Sequence, residues 1–344
     1  MKPNRAVANW LFLLCIMVFG MTAGGGHART IGASFIMQSW QPVTGFLPPM
    51  KAAAWAAQFA LFQHTAVFQA HPITLAAYKA LFWPMFLDRD WGRLMALVFV
   101  VPLAWFWWTK QVSNRLALWL IGIFAAGGAQ AAFGWYMVQT GLHPGVLTPP
   151  TAWAAPHFIA AMLILCALLW TALTLRNPSP ASAAPYLRPW VSGSILLVFL
   201  TMAFGALVAT TNAIAVFNTF PLMDGRLIPP GLFAQTQATV QFFHRALATL
   251  TALTVLVTAV LGLREARLAQ GQRDLFLLLA GLVCLQYLLG MATLVLGSQN
   301  LGFIHELNAV LLLATAVATR HSLGSGRFFE KKLRKKLLRL RAAE

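Results

Sequence analysis

Eight runs of nearly uninterrupted apolar residues constrain this chain more than anything else in it. They lie near 6–24, 91–109, 115–136, 153–174, 190–212, 236–262, 275–297 and 302–320. Each is close to the roughly 20 residues that cross about 30 Å of hydrocarbon. Lipid offers no partner to a backbone N–H or C=O, so a spanning segment is either a helix or a strand of a closed barrel, and unbroken apolar runs lack the alternation of a barrel strand. The expected fold class is an all-α integral membrane protein with eight transmembrane helices. Composition agrees: 59% of the 344 residues are hydrophobic and 10% are charged, too few to cover a soluble surface.

The connections alternate in charge. Lys2 and Arg5 precede the first run, Lys110 and Arg115 join the second and third, and Arg176 and Arg188 join the fourth and fifth. Arg264, Arg267 and Arg273 join the sixth and seventh, whereas 138–152 and 298–301 carry no charge. Positive residues favour the cytoplasmic side, which places both termini there, as in a bacterial inner membrane. The large outer loop 25–90 carries Arg29, Lys51, Lys79 and Arg89, and long loops cross largely regardless of charge. The net charge of +17 does not point to nucleic acid, because the basic residues sit at membrane edges and eight of the 25 fall between Arg327 and Arg341. That tail, 321–344, reads as a topology-fixing cluster; its leucine spacing also suits a short helix lying on anionic lipid. KPNR and TAGGGHA flank the first run as in a cleavable leader. Retention as a span is expected, because the repeat described next gives this run a counterpart. Cys15, Cys166 and Cys284 all fall within spans and form no CxxC pair, so neither a disulfide framework nor a metal knuckle is indicated.

Landmarks recur in order between the two halves. Phe19-Gly20 matches Phe204-Gly205, PVTGFLPP (42–49) matches PLMDGRLIPP (221–230), and Gln130/Gly134 matches Gln286/Gly290. His157 and His305 each stand near the outer end of their span. A tandem repeat of a four-helix unit is the economical explanation. It divides the chain into an N-terminal bundle (1–176) and a C-terminal bundle (188–320), side by side about an axis along the membrane normal.

Ionisable groups are costly in hydrocarbon and mark functional sites. Of the eight histidines, His157, His244 and His305 qualify by depth. His244, about two turns into span six, and His305, at the outer start of span eight, lie at similar depth. Two neutral imidazoles facing one another across a bundle suit the axial positions of a heme iron, and Arg245 is placed to neutralise a propionate. Zinc is the weaker rival, since only Glu306 stands near as a third ligand. Aligning the following arginines lays FLDR (86–89) over FFHR (242–245), so Asp88 occupies the histidine position of the first half.

GGHARTIGASFIMQSWQPVTGFLPP (25–49) resembles the stretch GGxTRLTxSGLSxxxWKPVxGxxPP of the heme A synthases. NTFPLMDGRLIPP (218–230), FGWYMVQTGL (133–142), VQFFHRALA (240–248) and the HxxxA opening of span eight resemble the same family, in order along nearly the whole chain. The resemblance implies two pseudo-symmetric four-helix bundles, with a heme b in the C-terminal half and the substrate, heme O, in the N-terminal half. It also implies successive hydroxylation of a heme O methyl group to the formyl group of heme A. The implied partners are the lipid bilayer, a heme O supplier, an electron donor and terminal oxidase assembly partners. His244 and His305 match the ligands of the C-terminal heme, His157 matches one histidine of the catalytic half, and Arg29 and Trp40 match the first outer loop.

The second span departs from the family, whose pattern there is Glu-x-x-His-Arg. This chain has Met85-Phe86-Leu87-Asp88-Arg89, and Ser39 and Gln41 replace an acid and a lysine around Trp40. Methionine takes no proton, and general acid–base help typically contributes about 10²- to 10⁴-fold. Three roles are open to Asp88: a carboxylate ligand to iron, a proton-transfer group, or a mouth residue paired with Arg89 at the water interface, the last being favoured. His27, His64 and His71 read as ordinary loop residues that are within reach as substitute ligands. The chain is thus expected to be a heme A synthase-type oxidoreductase; the alternative is a degenerate paralogue that binds heme b and serves heme handling, electron transfer or oxidase assembly.

Overall fold

The computed structural model describes all residues except 1–3, 40, 42–43, 141–150, 178–183 and 325–344. Trp40, His143 and the basic tail beyond 324 therefore lie outside the described residues. Ten α-helices follow one another: α1 (Arg5–Thr30), α2 (Ala52–Gln63), α3 (Ala66–Ala70), α4 (Leu75–Trp108), α5 (Asn114–Thr140), α6 (Thr151–Arg176), α7 (Leu187–Thr210), α8 (Thr236–Arg264), α9 (Gln270–Leu296) and α10 (Gln299–Ser322). Eight are long and apolar enough to span a bilayer, and no strand occurs among the described residues. The protein is an all-α integral membrane protein.

Local chemistry sets the ends. The side chains of Asn4, Thr74 and Ser298 accept hydrogen bonds from the first-turn N–H groups of Val7, Ala77 and Leu301, which no helical carbonyl reaches. Gly297, at φ +60, ends α9 in the left-handed conformation that glycine adopts without penalty.

The second spanning helix differs from expectation. It begins at Leu75, not near 91, and at 34 residues is about 50 Å long, well beyond the hydrocarbon thickness. Lys79, Asp88, Arg89 and Asp90 depress the hydropathy of its first half. Yet Tyr78, Phe82 and Phe86 recur every four residues and bury one stripe against Trp55, Phe62 and Ile36. The rings of Trp55 and Phe82 meet edge to face at 4.9 Å. Much of the expected outer loop is thus a small second core of α2, α3 and the start of α4, and Asp88 lies within α4.

Around the main core, α1 packs on α4, α4 on α5, α5 on α6 and α6 on α1; α7, α8, α9 and α10 follow one another in the same closed order. The two sets meet through α1–α10, α6–α7 and α6–α10. α1 is an integral part of this core, with Leu11 and Leu14 fully buried.

One end of the assembly gathers the basic connections. The backbone N–H of Asn4 donates to the carbonyl of Leu175 (3.0 Å), Arg188 to that of Leu323 (2.9 Å), and Gln272 to that of Ser322 (2.8 Å). At the opposite end lie α2, α3 and the loop 211–235, and with them Asp88, His157, His244 and His305.

Close packing of α8 on α9 depends on Gly262, where an added Cβ would enter the ring of the fully buried Phe276. Overpacking of this kind costs about 1–3 kcal/mol, more than the roughly 1 kcal/mol that alanine gains over glycine in a helix. Gly262→Ala is expected to lower the thermal unfolding midpoint in detergent; an unchanged or raised midpoint would show that the ring has room to move.

Candidate heme site

His244 and His305 stand on α8 and α10, opposite helices of their ring, and face each other with ring centroids 6.4 Å apart at an interplanar angle of 79°. Two imidazoles clasping one metal through nitrogens at about 2 Å each need a centroid separation of roughly this size. Each ring is held the same way. His244 Nδ1–H donates to the carbonyl of Thr201 (3.1 Å) and His305 Nδ1–H to that of Gln286 (3.0 Å). A nitrogen committed to a carbonyl carries the proton, so in both rings Nε2 keeps its lone pair for a metal.

Glycines make the pockets for these rings. A Cβ on Gly205 would lie 3.1 Å from the His244 ring and one on Gly290 3.0 Å from the His305 ring. The Gln286 amide is oriented by Asn308, whose Nδ2 donates to its oxygen at 2.7 Å, so its own N–H points to His305 Nε2 at 3.1 Å. In this arrangement the His305 Nε2 lone pair accepts from Gln286, a contact that a bound metal would displace. No cluster of three or more His, Cys, Asp or Glu side chains that could hold a metal ion occurs among the described residues.

Arg245 turns its two terminal nitrogens to the carbonyls of Thr219 and Phe217, both at 2.8 Å, while its Nε is buried without a partner. Arg89 does the same in the first half, donating to Ser39 (2.6 Å) and Met37 (2.9 Å). Each arginine thus clasps two carbonyls two residues apart in the loop that follows its half's first helix. Asp88 immediately precedes the one clasping arginine as His244 precedes the other.

The surroundings of that position differ. The notch on α1 at Gly20, which matches Gly205, is filled by Trp91, whose indole lies 3.2 Å from where a Cβ would be and donates to Met17 O at 2.8 Å. Asp88 lies one turn further along α1, against Gly24, whose missing Cβ makes room for the carboxylate. The expected pairing with Arg89 is absent: Arg89 is engaged with the loop carbonyls, Asp90 pairs with Arg93, and Asp88 Oδ1 is buried without a hydrogen-bond partner. Met85 packs into the aromatic cluster of α2 and α3, surroundings in which a carboxylate would be stranded.

His157, on α6, packs on Gly134 as His305 does on Gly290, with 3.0 Å to a Cβ. Its Nδ1 is buried and has no partner, and Gln130 donates to its backbone carbonyl at 2.6 Å. Asp88 Oδ1 and His157 Nδ1 are thus both buried and without a hydrogen-bond partner.

Sequence reading missed two features here. Arg29, expected at a cofactor, forms an ion pair with Glu306, which follows His305 on α10, so the last turn of α1 ties the two halves together. Gly26 lies against Phe303 and Glu306 in the same contact. His27, expected in a loop, is on that last helical turn and shares a groove with Asp88, Leu87 and Trp91.

Comparison with known proteins agrees with this architecture. Residues 8–317 match the model of a family described as cytochrome oxidase assembly protein. The chain is 53% identical over 335 residues to Heme A synthase 1 of Acidiphilium cryptum (strain JF-5), covering 94% of this chain and 93% of that protein. It is 38% identical to Heme A synthase 2 of the same organism, over 92% of this chain and 91% of that one. Heme A synthase of Methylobacterium sp. (strain 4-46) is 39% identical, over 92% of each. Eight spanning helices, paired outer-end histidines and a family match along almost the whole length lead to one conclusion: this chain belongs to the cytochrome oxidase assembly protein family.

Proposed function

We propose that this protein is a heme A synthase, converting a methyl group of heme O to the formyl group of heme A for cytochrome oxidase biogenesis. The observation that carries this reading is full-length similarity to proteins of that name, 53% identical over 94% of the chain in one case. The His244–His305 geometry supports a resident heme b in the C-terminal half, where the iron supplies one-electron transfer. These two side chains hold and orient it, Gly205 and Gly290 leave room for the imidazoles, and Arg245 neutralises negative charge at its edge.

Heme O is the substrate of the N-terminal half. There His157 binds from α6 and Asp88 faces it from α4, the carboxylate taking the place that an imidazole holds in the other half. The matching helix order and the two arginine clasps support a pseudo-two-fold relation between the halves, about an axis along the membrane normal. The basic connections support a cytoplasmic location for the end that carries both termini. Electrons arrive from a redox partner that acts as donor, and heme O arrives from, and heme A passes to, neighbouring membrane proteins of the oxidase assembly route.

Two measurements test this. Cells supplied with heme O and expressing the protein are expected to yield heme A or its hydroxylated precursor on extraction. Recovery of heme B alone would leave the heme-binding paralogue as the better description. In the purified protein, His244→Ala or His305→Ala is expected to remove the low-spin absorption of the resident heme, because either change leaves a single axial nitrogen. A spectrum unaltered by both would mean that the heme sits elsewhere.

A further inference from the structure

Two arginines meet at the end of the assembly that gathers the basic connections. Arg188 stands in the first turn of α7 and Arg320 in the last turn of α10, and these helices pack on each other. Arg188 Nε–H donates to the carbonyl of Leu323 at 2.9 Å, and Arg320 Nη1–H to that of Gly324 at 3.0 Å. The two guanidinium groups are thus held on consecutive carbonyls, near enough for the charge of Arg188 to act on Arg320. Arg320 Nε–H also donates at 2.9 Å to the hydroxyl of Ser192, one turn beyond Arg188 on α7.

Capping the end of α10 accounts for these contacts but not for the rest of the two side chains. Both terminal nitrogens of Arg188 and Nη2 of Arg320 have no protein partner, and no carboxylate pairs with either arginine among the described residues. The nearest acids along the chain at this end are spent: Glu265 on Arg267, and Asp274 on the amide of Gln270. At the start of α7, moreover, the helix dipole disfavours a cation and favours an anion. Two planar forks, each fixed at Nε with terminal N–H groups to spare, are a preorganised seat for a tetrahedral oxyanion.

The level in the membrane decides which oxyanion. Both arginines stand where a spanning helix ends, and Trp190, 44% exposed in the first turn of α7, is placed as interfacial indoles are. From Ser192 toward the middle of α7, Leu196 and Leu200 follow at one-turn intervals and are 60% and 42% exposed, an apolar track that leads away from the arginines. Free phosphate leaves that track unused, and a zwitterionic headgroup brings its own cation against the guanidinium pair. We propose that Arg188 and Arg320 bind the phosphate of an anionic phospholipid, whose acyl chain lies along Leu196 and Leu200. The site adjoins His321, whose Nε2 is 3.1 Å from Thr174 Oγ1 of α6, so the lipid borders the junction of the two halves. Nothing in it depends on heme O or on which side of the membrane this end faces.

The test is native mass spectrometry of the full-length protein in non-ionic detergent, with dioleoylphosphatidylglycerol and dioleoylphosphatidylcholine in competition. The first phosphatidylglycerol is expected to bind about thirtyfold more tightly than phosphatidylcholine, the worth of two arginines beside an anionic headgroup. Inorganic phosphate in millimolar excess is expected to leave it in place. Arg188→Gln with Arg320→Gln is expected to bring the two lipids level, whereas Lys331→Gln with Lys332→Gln, the same loss of charge in the basic tail, keeps the preference. Helical circular dichroism and a cooperative thermal transition report that each variant is folded. Equal binding of the two lipids by the unaltered protein, or displacement by inorganic phosphate, overturns the proposal without any variant. So does a preference that survives in the folded arginine variant, or one lost equally from both variants, the mark of diffuse attraction to a basic surface.

Discussion

Hydrocarbon supplies no hydrogen bonds, and every polar group carried into this protein's interior has had to find its partner within the chain. Backbone groups find theirs in eight spanning helices. Side chains find theirs in helical and loop carbonyls: His244 at Thr201, His305 at Gln286, Arg89 and Arg245 each at two carbonyls of an outer loop. These contacts are strong in a dry environment, and they orient the rings and guanidinium groups without a second charged residue. The accounting fails at Asp88 Oδ1 and His157 Nδ1, and also at the Tyr78 hydroxyl, Gln241 Oε1 and Arg245 Nε, each buried without a hydrogen-bond partner.

In the function proposed above, one scaffold serves two roles. In the C-terminal half both imidazoles are anchored through Nδ1 and seated on glycine, an arrangement that suits a permanently held heme. In the N-terminal half, Trp91 fills the glycine notch and the acidic side chain is displaced one turn outward against Gly24. A less fully satisfied site suits a molecule that must enter, react and leave. The Arg29–Glu306 pair joins the halves at the same level, next to His305 on one side and the Asp88 groove on the other.

Much of this was legible in the amino-acid order. The eight spans were evident because a membrane helix needs a long apolar run, a signal few soluble elements imitate. His157, His244 and His305 stood out because imidazoles are rare at that depth, and the arginine register placed Asp88 opposite a histidine. The start of α4 was not legible, since hydropathy counts Lys79, Asp88, Arg89 and Asp90 against a span while the Tyr78, Phe82, Phe86 stripe is buried by α2 and α3, elements read as loop.

The sequence by itself determined the membrane class, the number of spans and the histidines that stand as candidate ligands, because these follow from apolar length and from the cost of ionisable groups in lipid. Only the tertiary structure decided which atoms those residues present. That a histidine nitrogen is spent on a carbonyl, that Arg89 is engaged with loop carbonyls and that Arg29 reaches Glu306 depend on helices and loops brought together from distant parts of the chain. Such contacts are made between faces, and a one-dimensional order of residues carries no record of which faces meet.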